Sequence, residues 1–492
     1  MTMPRRAVLF STLLLVTCKM NIVSQTNSVA EFTGRVSDTQ CGRNVNVDCN
    51  RKCINGGVAP VLVIDKTNDV VALANPDSLK EYPGAHVEVS GSMTNNLLRV
   101  AAVKVLDAEN AKVPDATADA AAVHFPASQT FVRIPFELLA NSPYINVKVN
   151  GKGPFLFALD TGAMESPLAS ETLAELDLQP SNAAGGQQDI EFTFEGGLQV
   201  KTYRGGDSSF AGVWPLIHRR FYGDIGYDVL KHFVVELDYD KKIVTFYDPK
   251  KYRPTDSGTT IPATLWMDYD PQIDGELHIP GSAPIRTRFT IDTGAGGTVV
   301  TTPIIKQNHL MERLSEKVPL PGAGINGWVQ DALIARVAGI GLGRYSVEKP
   351  LIALSLDTDS VFTMESMGVN LGGNILQRFT VIVDYPRQQV TFQPNSRLHD
   401  PFPADASGLV LKTQGNDFKT VTVQGVVTGS PADQAGIRDG DIILSIDGKS
   451  TDNFALWQIQ DLFKESGKER TVTLQKKDGN IATVRIKLRA LA

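Results

Sequence analysis

The segment Phe157-Ala158-Leu159-Asp160-Thr161-Gly162-Ala163 comes back, 132 residues later, as Phe289-Thr290-Ile291-Asp292-Thr293-Gly294-Ala295. In both copies a short apolar run, Phe155 to Leu159 and Phe289 to Ile291, leads into Asp-Thr-Gly-Ala. Such runs read as strands. A strand is stiff, so a carboxylate at its end is held in place. Gly162 and Gly294 let the backbone turn tightly and come close to the carboxylate. Thr161 and Thr293 can hydrogen-bond to the opposite loop and lock two such loops together.

Outward from these segments the resemblance between the copies continues, and an internal repeat constrains the fold before any other feature does. Copy one begins at Ile134-Pro135 and copy two at Ile261-Pro262. Copy one closes with Gly226-Tyr227-Asp228-Val229-Leu230-Lys231-His232-Phe233-Val234-Val235-Glu236-Leu237-Asp238-Tyr239. Copy two closes with Gly372-Gly373-Asn374-Ile375-Leu376-Gln377-Arg378-Phe379-Thr380-Val381-Ile382-Val383-Asp384-Tyr385. The closing phrases lie 146 residues apart, so the second copy carries about 14 extra residues, which a loop can absorb. Two matched phrases in the same order make the repeat real. It predicts two lobes, 130–260 and 261–400, related by a pseudo-twofold axis that sets Asp160 opposite Asp292.

Two carboxylates ~3 Å apart cannot both ionise readily, so they share one proton. The ionised partner can act as general base on a water between them, and the protonated one can donate to a scissile carbonyl oxygen. This chemistry needs no metal, no cofactor and no nucleophilic side chain. At this point the pattern resembles the retropepsin-like aspartic peptidases, with two lobes fused in one chain as in the pepsin architecture. The resemblance covers about residues 130–397. It rests on both Asp-Thr-Gly-Ala motifs and on Gly226 to Leu230 and Gly372 to Leu376, which resemble the family's apolar-Gly-x-Asp/Asn-x-Leu element behind each catalytic loop.

The resemblance implies a bilobal β-barrel peptidase with Asp160 and Asp292 as the catalytic pair. Thr161, Gly162, Thr293 and Gly294 would support the active-site loops. The family covers its cleft with β-hairpin flaps, and Gly324, Ile325, Gly327 and Trp328 are the candidate flap in copy two. In copy one the corresponding interval holds Glu195-Gly196-Gly197-Leu198; an ordinary glycine-rich turn would read the same way. Ala163 and Ala295 stand where many relatives have a hydroxyl that would donate to the carboxylate. Without that donor the dyad holds its proton more tightly, and activity is less confined to strong acid.

The flanks carry their own signals. Gly429-Ser430-Pro431-Ala432 and Ala435 to Ile443, ahead of Ile446-Asp447-Gly448, resemble bacterial PDZ domains, which implies an α+β PDZ domain over 401–492. Its longer helix is expected at Asn453 to Lys464, with Phe454, Trp457, Ile459 and Leu462 among the apolar positions. Final strands are expected at Thr471 to Leu474 and Thr483 to Leu488. Residues 31–107 read as a small OB-like β unit: a hairpin of Val61 to Ile64 and Val70 to Leu73, then alternating strands at His86 to Gly91 and Leu97 to Val105. The Ala-rich stretch within 108–129 reads as a linker. The expected class is therefore mostly β.

At the N-terminus, Arg5-Arg6 and the apolar run Ala7 to Thr17 read as an export signal over 1–30, with Ser28-Val29-Ala30 resembling a cleavage site. A bilayer span needs about 20 apolar residues, and this run is much shorter. The protein is expected to be exported, periplasmic or secreted, with a lipid anchor at Cys18 as the alternative and no membrane span. Cys41, Cys49 and Cys53 read as one disulfide plus a leftover thiol, or less simply as a metal site lacking a nearby histidine.

A net charge of −6 without a basic stripe argues against nucleic acid as a partner. Hydrophobic content of 42% suffices for several cores in 492 residues. The expected partners are polypeptide substrates and a C-terminal peptide at the PDZ domain, and the covalent tandem points to a monomer rather than a homodimer. A serine-protease reading finds only Gly206-Asp207-Ser208-Ser209, with no histidine motif upstream. His124, His218, His232, His278 and His309 are scattered and give no metallopeptidase pattern. The competing reading from another class is a peptide-binding protein that keeps the lobes and the PDZ domain but not the turnover. Intact Asp-Thr-Gly in both copies speaks against it.

Overall fold

The computed structural model describes residues 30–39, 41, 45, 47–55, 58–65, 70–94, 97–106, 122–127, 129–181, 189–203, 206–254, 257–314, 316–321, 331–358, 360–415 and 417–491. The expected signal, Cys18 and the candidate flap residues Gly324, Ile325, Gly327 and Trp328 lie outside the described residues. The chain is mostly β, in several sheets. Among the described residues no helix is long and apolar enough to cross a membrane.

Five N-terminal strands close into a barrel: Ala30–Asp38, Pro60–Ile64, Val70–Leu73, His86–Thr94 and Leu97–Val105. The third pairs parallel with the fifth, and the fourth returns to the first, the strand order of an OB-like barrel. Alternation decides which side chains face inward: Val36, Leu62, Val87, Val89 and Leu98 are fully buried. The linker expectation needs correcting at its downstream end. Ala122–His124 is a short strand paired with Gln199–Lys201 of the first lobe, and three edge residues carry too little periodicity to be seen in sequence.

The two lobes meet at a twofold sheet built from the closing phrases. Val234–Asp238 pairs antiparallel with Phe379–Asp384, with Glu236 opposite Ile382, its own counterpart in the repeat. On either side follow Ile243–Tyr247 and Gln389–Pro394, then Phe131–Pro135 and Thr259–Trp266. These last two strands carry the Ile-Pro pairs that open the copies. Val235, Leu237, Val244, Val381, Val383 and Val390 from this sheet join one continuous core with both lobes.

Inside each lobe the strand that ends at the aspartate pairs with an antiparallel neighbour on one side and a parallel segment on the other. In lobe one Ala158 lies opposite Tyr144 and opposite Asp224. In lobe two Thr290 lies opposite Gln272 and opposite Asn370. Ala158 and Thr290 are equivalent in the repeat, so this register makes Tyr144 equivalent to Gln272 and Asp224 to Asn370.

The C-terminal sheet runs in the order Leu409–Gln414, Thr420–Val426, Ile442–Ile446, Glu469–Gln475, Ile481–Lys487. Ser430 caps the short helix Pro431–Gln434 by accepting the Asp433 N–H at 3.2 Å. The longer helix is Leu456–Phe463, starting three residues later than expected because Thr451–Asn453 forms a separate turn. Its buried stripe is therefore Leu456, Ile459 and Phe463. Trp457 falls outside it and is 54% exposed, a correction to the expected apolar face.

Candidate active site

Asp160 and Asp292 sit at the ends of strands Lys152–Leu159 and Ile285–Ile291, and their carboxyl groups lie close enough to act on one another's ionisation. Each strand end is fixed by a bond to the residue just ahead of the closing phrase of its own lobe: Asp160 N–H to Ile225 C=O at 3.0 Å, Asp292 N–H to Leu371 C=O at 3.1 Å. The carboxylates accept local backbone donors, Gly162 N–H to Asp160 at 2.9 Å and Ala295 N–H to Asp292 at 2.8 Å.

The loops interlock through the two threonines, both fully buried. Thr161 N–H donates to Thr293 Oγ1 and Thr293 N–H to Thr161 Oγ1, each at 3.0 Å. The hydroxyl protons go across as well, from Thr293 to Leu159 C=O at 2.6 Å and from Thr161 to Ile291 C=O. Four cross-lobe bonds from two residues leave the loops little freedom to separate. The glycines face the opposite carboxylate: a Cβ on Gly162 would come within 2.9 Å of Asp292 Cγ, and one on Gly294 would run into the Asp160 carboxyl.

Behind each loop lies a matched pair of side chains. Ser166 Oγ donates to Asp228 at 2.6 Å and accepts Gly226 N–H at 3.0 Å. In lobe two Thr298 Oγ1 donates to Asn374 at 2.7 Å and accepts Gly372 N–H at 3.1 Å. The Asp/Asn of the closing element thus ties the segment after each Asp-Thr-Gly-Ala loop to the segment beneath it. Asp228 is pushed up to about 7, first by burial and only partly opposed by the Ser166 bond.

Electrostatically the site is a group of acids in a dry place. Burial first, then the neighbouring Asp292 charge, push the Asp160 carboxyl up to about 8. Asp292 is also raised by burial, but Asn370 Nδ2 donates to it at 2.7 Å and with Ala295 N–H holds it lower. Two further buried acids belong to the surroundings, Asp224 and Asp270, each 3% exposed and each raised well above the carboxylate range by burial and by the dyad. Burial likewise raises the Tyr144 and Tyr385 hydroxyls, with Asp160 contributing to both.

Of the sequence-derived residues, the structure brings Asp160, Asp292, Thr161, Gly162, Thr293 and Gly294 into one cluster. The copy-one turn Glu195 to Leu198 does not join it. Strand Asp189–Phe194 pairs with Ser142–Val149 as Gly339–Leu342 pairs with Asp270–His278, so its hairpin matches the outer hairpin of lobe two. The turn packs instead on the far side, where a Cβ on Gly196 would meet Val132 at 2.7 Å. In lobe two the strands Lys317–Pro321 and Asp331–Arg336 pair across 322–330, which lie outside the described residues. Sequence reasoning did not single out Asp224, Asn370 or Asp270. The first two stand two positions before Gly226 and Gly372, where aligning the copies exposes the Asp/Asn difference.

Away from the dyad, Asp38, Cys41 and Cys53 place their donor atoms within 4.8 Å of one another beside the N-terminal barrel, where the disulfide and metal readings both fall. The Asp38 carboxylate accepts Cys41 N–H at 2.8 Å and Asn50 Nδ2 at 2.6 Å.

Residues 422–476 match the PDZ domain family, which shows a PDZ domain there. No curated protein matches the chain. Among solved structures, a photosystem II D1 C-terminal processing protease is similar over 18% of this chain, with 28% identity and a TM-score of 0.17. The chain spans about a quarter of that protease, 23% of its length. An aspartic proteinase from Irpex lacteus is similar over 54% of this chain and 98% of its own, with 13% identity and a TM-score of 0.37.

Proposed function

We propose that residues 130–400 form an aspartic endopeptidase that hydrolyses peptide bonds with water activated between Asp160 and Asp292, and that the PDZ domain binds substrate or partner peptides. The observation that carries this reading is the pair of neighbouring buried carboxyls at two strand ends, locked by reciprocal Thr161 and Thr293 bonds. A binding module has no use for facing carboxylates, which repel when ionised and cost stability when buried.

The surroundings divide the labour. Asn370 and Ala295 N–H stabilise negative charge on Asp292, so Asp292 is the general base that takes a proton from water. Asp160, raised further, keeps its proton and donates it to the carbonyl oxygen as the water oxygen bonds to carbon. The resulting tetrahedral diol collapses when the proton on Asp292 passes to the leaving nitrogen, the C–N bond breaks, and one diol hydroxyl returns its proton to Asp160.

The PDZ domain takes peptide by strand addition in this reading. The export assignment rests on Arg5-Arg6 and the run Ala7 to Thr17, and cell fractionation with N-terminal sequencing of the mature protein tests it.

The deciding experiment is cleavage of an unfolded protein substrate by wild type, Asp160→Asn and Asp292→Asn, with folding checked by circular dichroism. Each substitution should lower kcat by at least about a hundredfold, the smaller end of general acid–base contributions. A well-folded wild type that cleaves nothing at any pH would sink the peptidase reading and leave a peptide binder.

A further inference from the structure

Strand register makes Asp224 the counterpart of Asn370, yet the two carry opposite chemistry. Asn370 is held in one orientation, because Thr290 Oγ1 donates to its Oδ1 at 2.8 Å and so turns the amide N–H toward Asp292. That N–H then donates to the carboxylate at 2.7 Å. In lobe one the residue equivalent to Thr290 is Ala158, which has no hydroxyl to give. The residue equivalent to Asn370 is a carboxyl with no amide N–H. Asp224 is 3% exposed, its backbone is pinned by Pro167 C=O at 3.1 Å, and its Oδ2 is buried without a hydrogen-bond partner.

We propose that Asp224 is a positioning residue of the dyad: by withholding from Asp160 the amide that Asp292 receives, it keeps the shared proton on Asp160 and so makes the two lobes unequal. The proposal rests on the peptidase reading for its catalytic meaning, though not for its electrostatics. Two outcomes are open to a carboxyl in this place, and both act in the same direction. Ionised, Asp224 repels negative charge on Asp160. Neutral, Asp224 has an O–H that could donate, but no hydrogen bond joins it to Asp160 and its Oδ2 is buried without a partner. Asp160 thus receives nothing to match the amide N–H on Asp292. Either way the anion settles on Asp292.

The groups facing Asp224 agree. The charges acting on it are Asp160 and then Asp292, and Tyr144 on the neighbouring strand responds to Asp224 before Asp160. From lobe two Asp270 faces the dyad, acted on by Asp292 and then Asp160. Asp270 holds the place of Ser142, whose hydroxyl donates to Gly294 C=O at 2.8 Å. Each lobe therefore contributes one extra buried acid at a different symmetry position. Asp224 is the one placed where its counterpart touches a catalytic carboxylate.

The test is Asp224→Asn in the full chain, with the swap Asp224→Asn/Asn370→Asp as the second variant. Carboxyl titration by NMR with labelled aspartate, assigned by the Asp160→Asn and Asp292→Asn variants, gives a readout that needs no turnover. In Asp224→Asn the Asp160 titration should fall by about one unit or more, the size expected when a like charge is removed and a donor gained. The upper limb of the kcat/KM profile should move down with it. In the swap the higher titration should pass to Asp292. An Asp160 titration unchanged in both variants overturns the proposal, as does a uniform loss of activity with the limb in place, which marks a structural role. The expected titration shifts in the variants, beside a wild type that never cleaves, leave this assignment standing and remove the peptidase reading instead. Should Asp224→Asn fail to fold, Asp224→Ser removes the same charge and is read in its place.

Discussion

A single methyl group is enough to disturb the dyad, because each glycine of the Asp-Thr-Gly-Ala loops faces the carboxylate of the other lobe. Gly294→Ala would push its Cβ into the Asp160 carboxyl, whereas a Cβ on Gly297 would meet nothing within 4 Å. We expect Gly294→Ala to lower kcat/KM by at least about a hundredfold, the scale on which small misplacements act, and Gly297→Ala to leave it within about twofold. Comparable losses in the two variants would mean the glycines serve the turn rather than the approach. At the same scale, Ala163 and Ala295 bring no hydroxyl to the carboxylates. With Asp160 raised to about 8 and Asp292 also raised, the singly protonated dyad persists toward neutral pH. Cleavage should therefore rise as Asp292 loses its proton, hold into the neutral range, and fall as Asp160 loses its own. A pH–rate profile with an optimum near about pH 2, as in a dyad with strongly lowered carboxyls, would contradict it.

Elements hold these residues through matched but chemically unequal ties. Asp228 and Asn374 occupy equivalent places and accept equivalent bonds from Ser166 and Thr298, yet only Asp228 carries an ionisable group. Its folded pKa, about 7, lies above the ordinary value, so the folded state holds a proton that the unfolded chain has released. That costs nothing below about pH 4 and grows as pH rises toward the folded value. Asp228→Asn should thus be near neutral in stability at pH 4 and stabilising by on the order of 2–4 kcal/mol at pH 8. Denaturant unfolding at the two pH values checks it, and an equal effect at both would locate the change in packing rather than charge. The tie itself was legible: Asp228 and Asn374 belong to a phrase repeated in order. The turn Glu195 to Leu198 was not, because a glycine-rich turn has the same local sequence at either end of a hairpin. Only the pairing of Asp189–Phe194 with Ser142–Val149 tells which end it occupies.

At the scale of the molecule the PDZ domain leans on lobe one. Thr413 Oγ1 donates to Pro215 C=O at 2.7 Å, and Phe418 packs against the cluster of Phe210, Trp214 and Ile217, with its ring 6.1 Å from that of His218. The connecting segment is strapped down as well. The Arg378 guanidinium donates to Arg397 C=O at 2.8 Å and Asp400 C=O at 2.6 Å, and stacks 3.6 Å over Phe402. Removing the Phe418 ring should free the PDZ domain while the two-lobed core stays folded. We expect Phe418→Ala to enlarge the radius of gyration in small-angle scattering and to speed proteolysis within 401–415, with cleavage of a short peptide unchanged. Identical scattering would show that the strap alone fixes the arrangement.

By itself the sequence determined the repeat, the two Asp-Thr-Gly-Ala loops, the mostly β class and the PDZ signature, because each is written in contiguous residues whose spacing and polarity follow local rules. Of the N-terminal barrel four strands were legible as short apolar or alternating runs, whereas the first, Ala30–Asp38, was not singled out and shows itself only through its pairing with the second and fourth. Tertiary structure alone decided which residues complete the environment of the dyad. Asp224 and Asp270 are unremarkable aspartates until register places them beside Asp160 and Asp292, far away in the chain. Their shifted ionisation comes from burial and from neighbouring charge, and both are properties of the assembled space rather than of the order of residues.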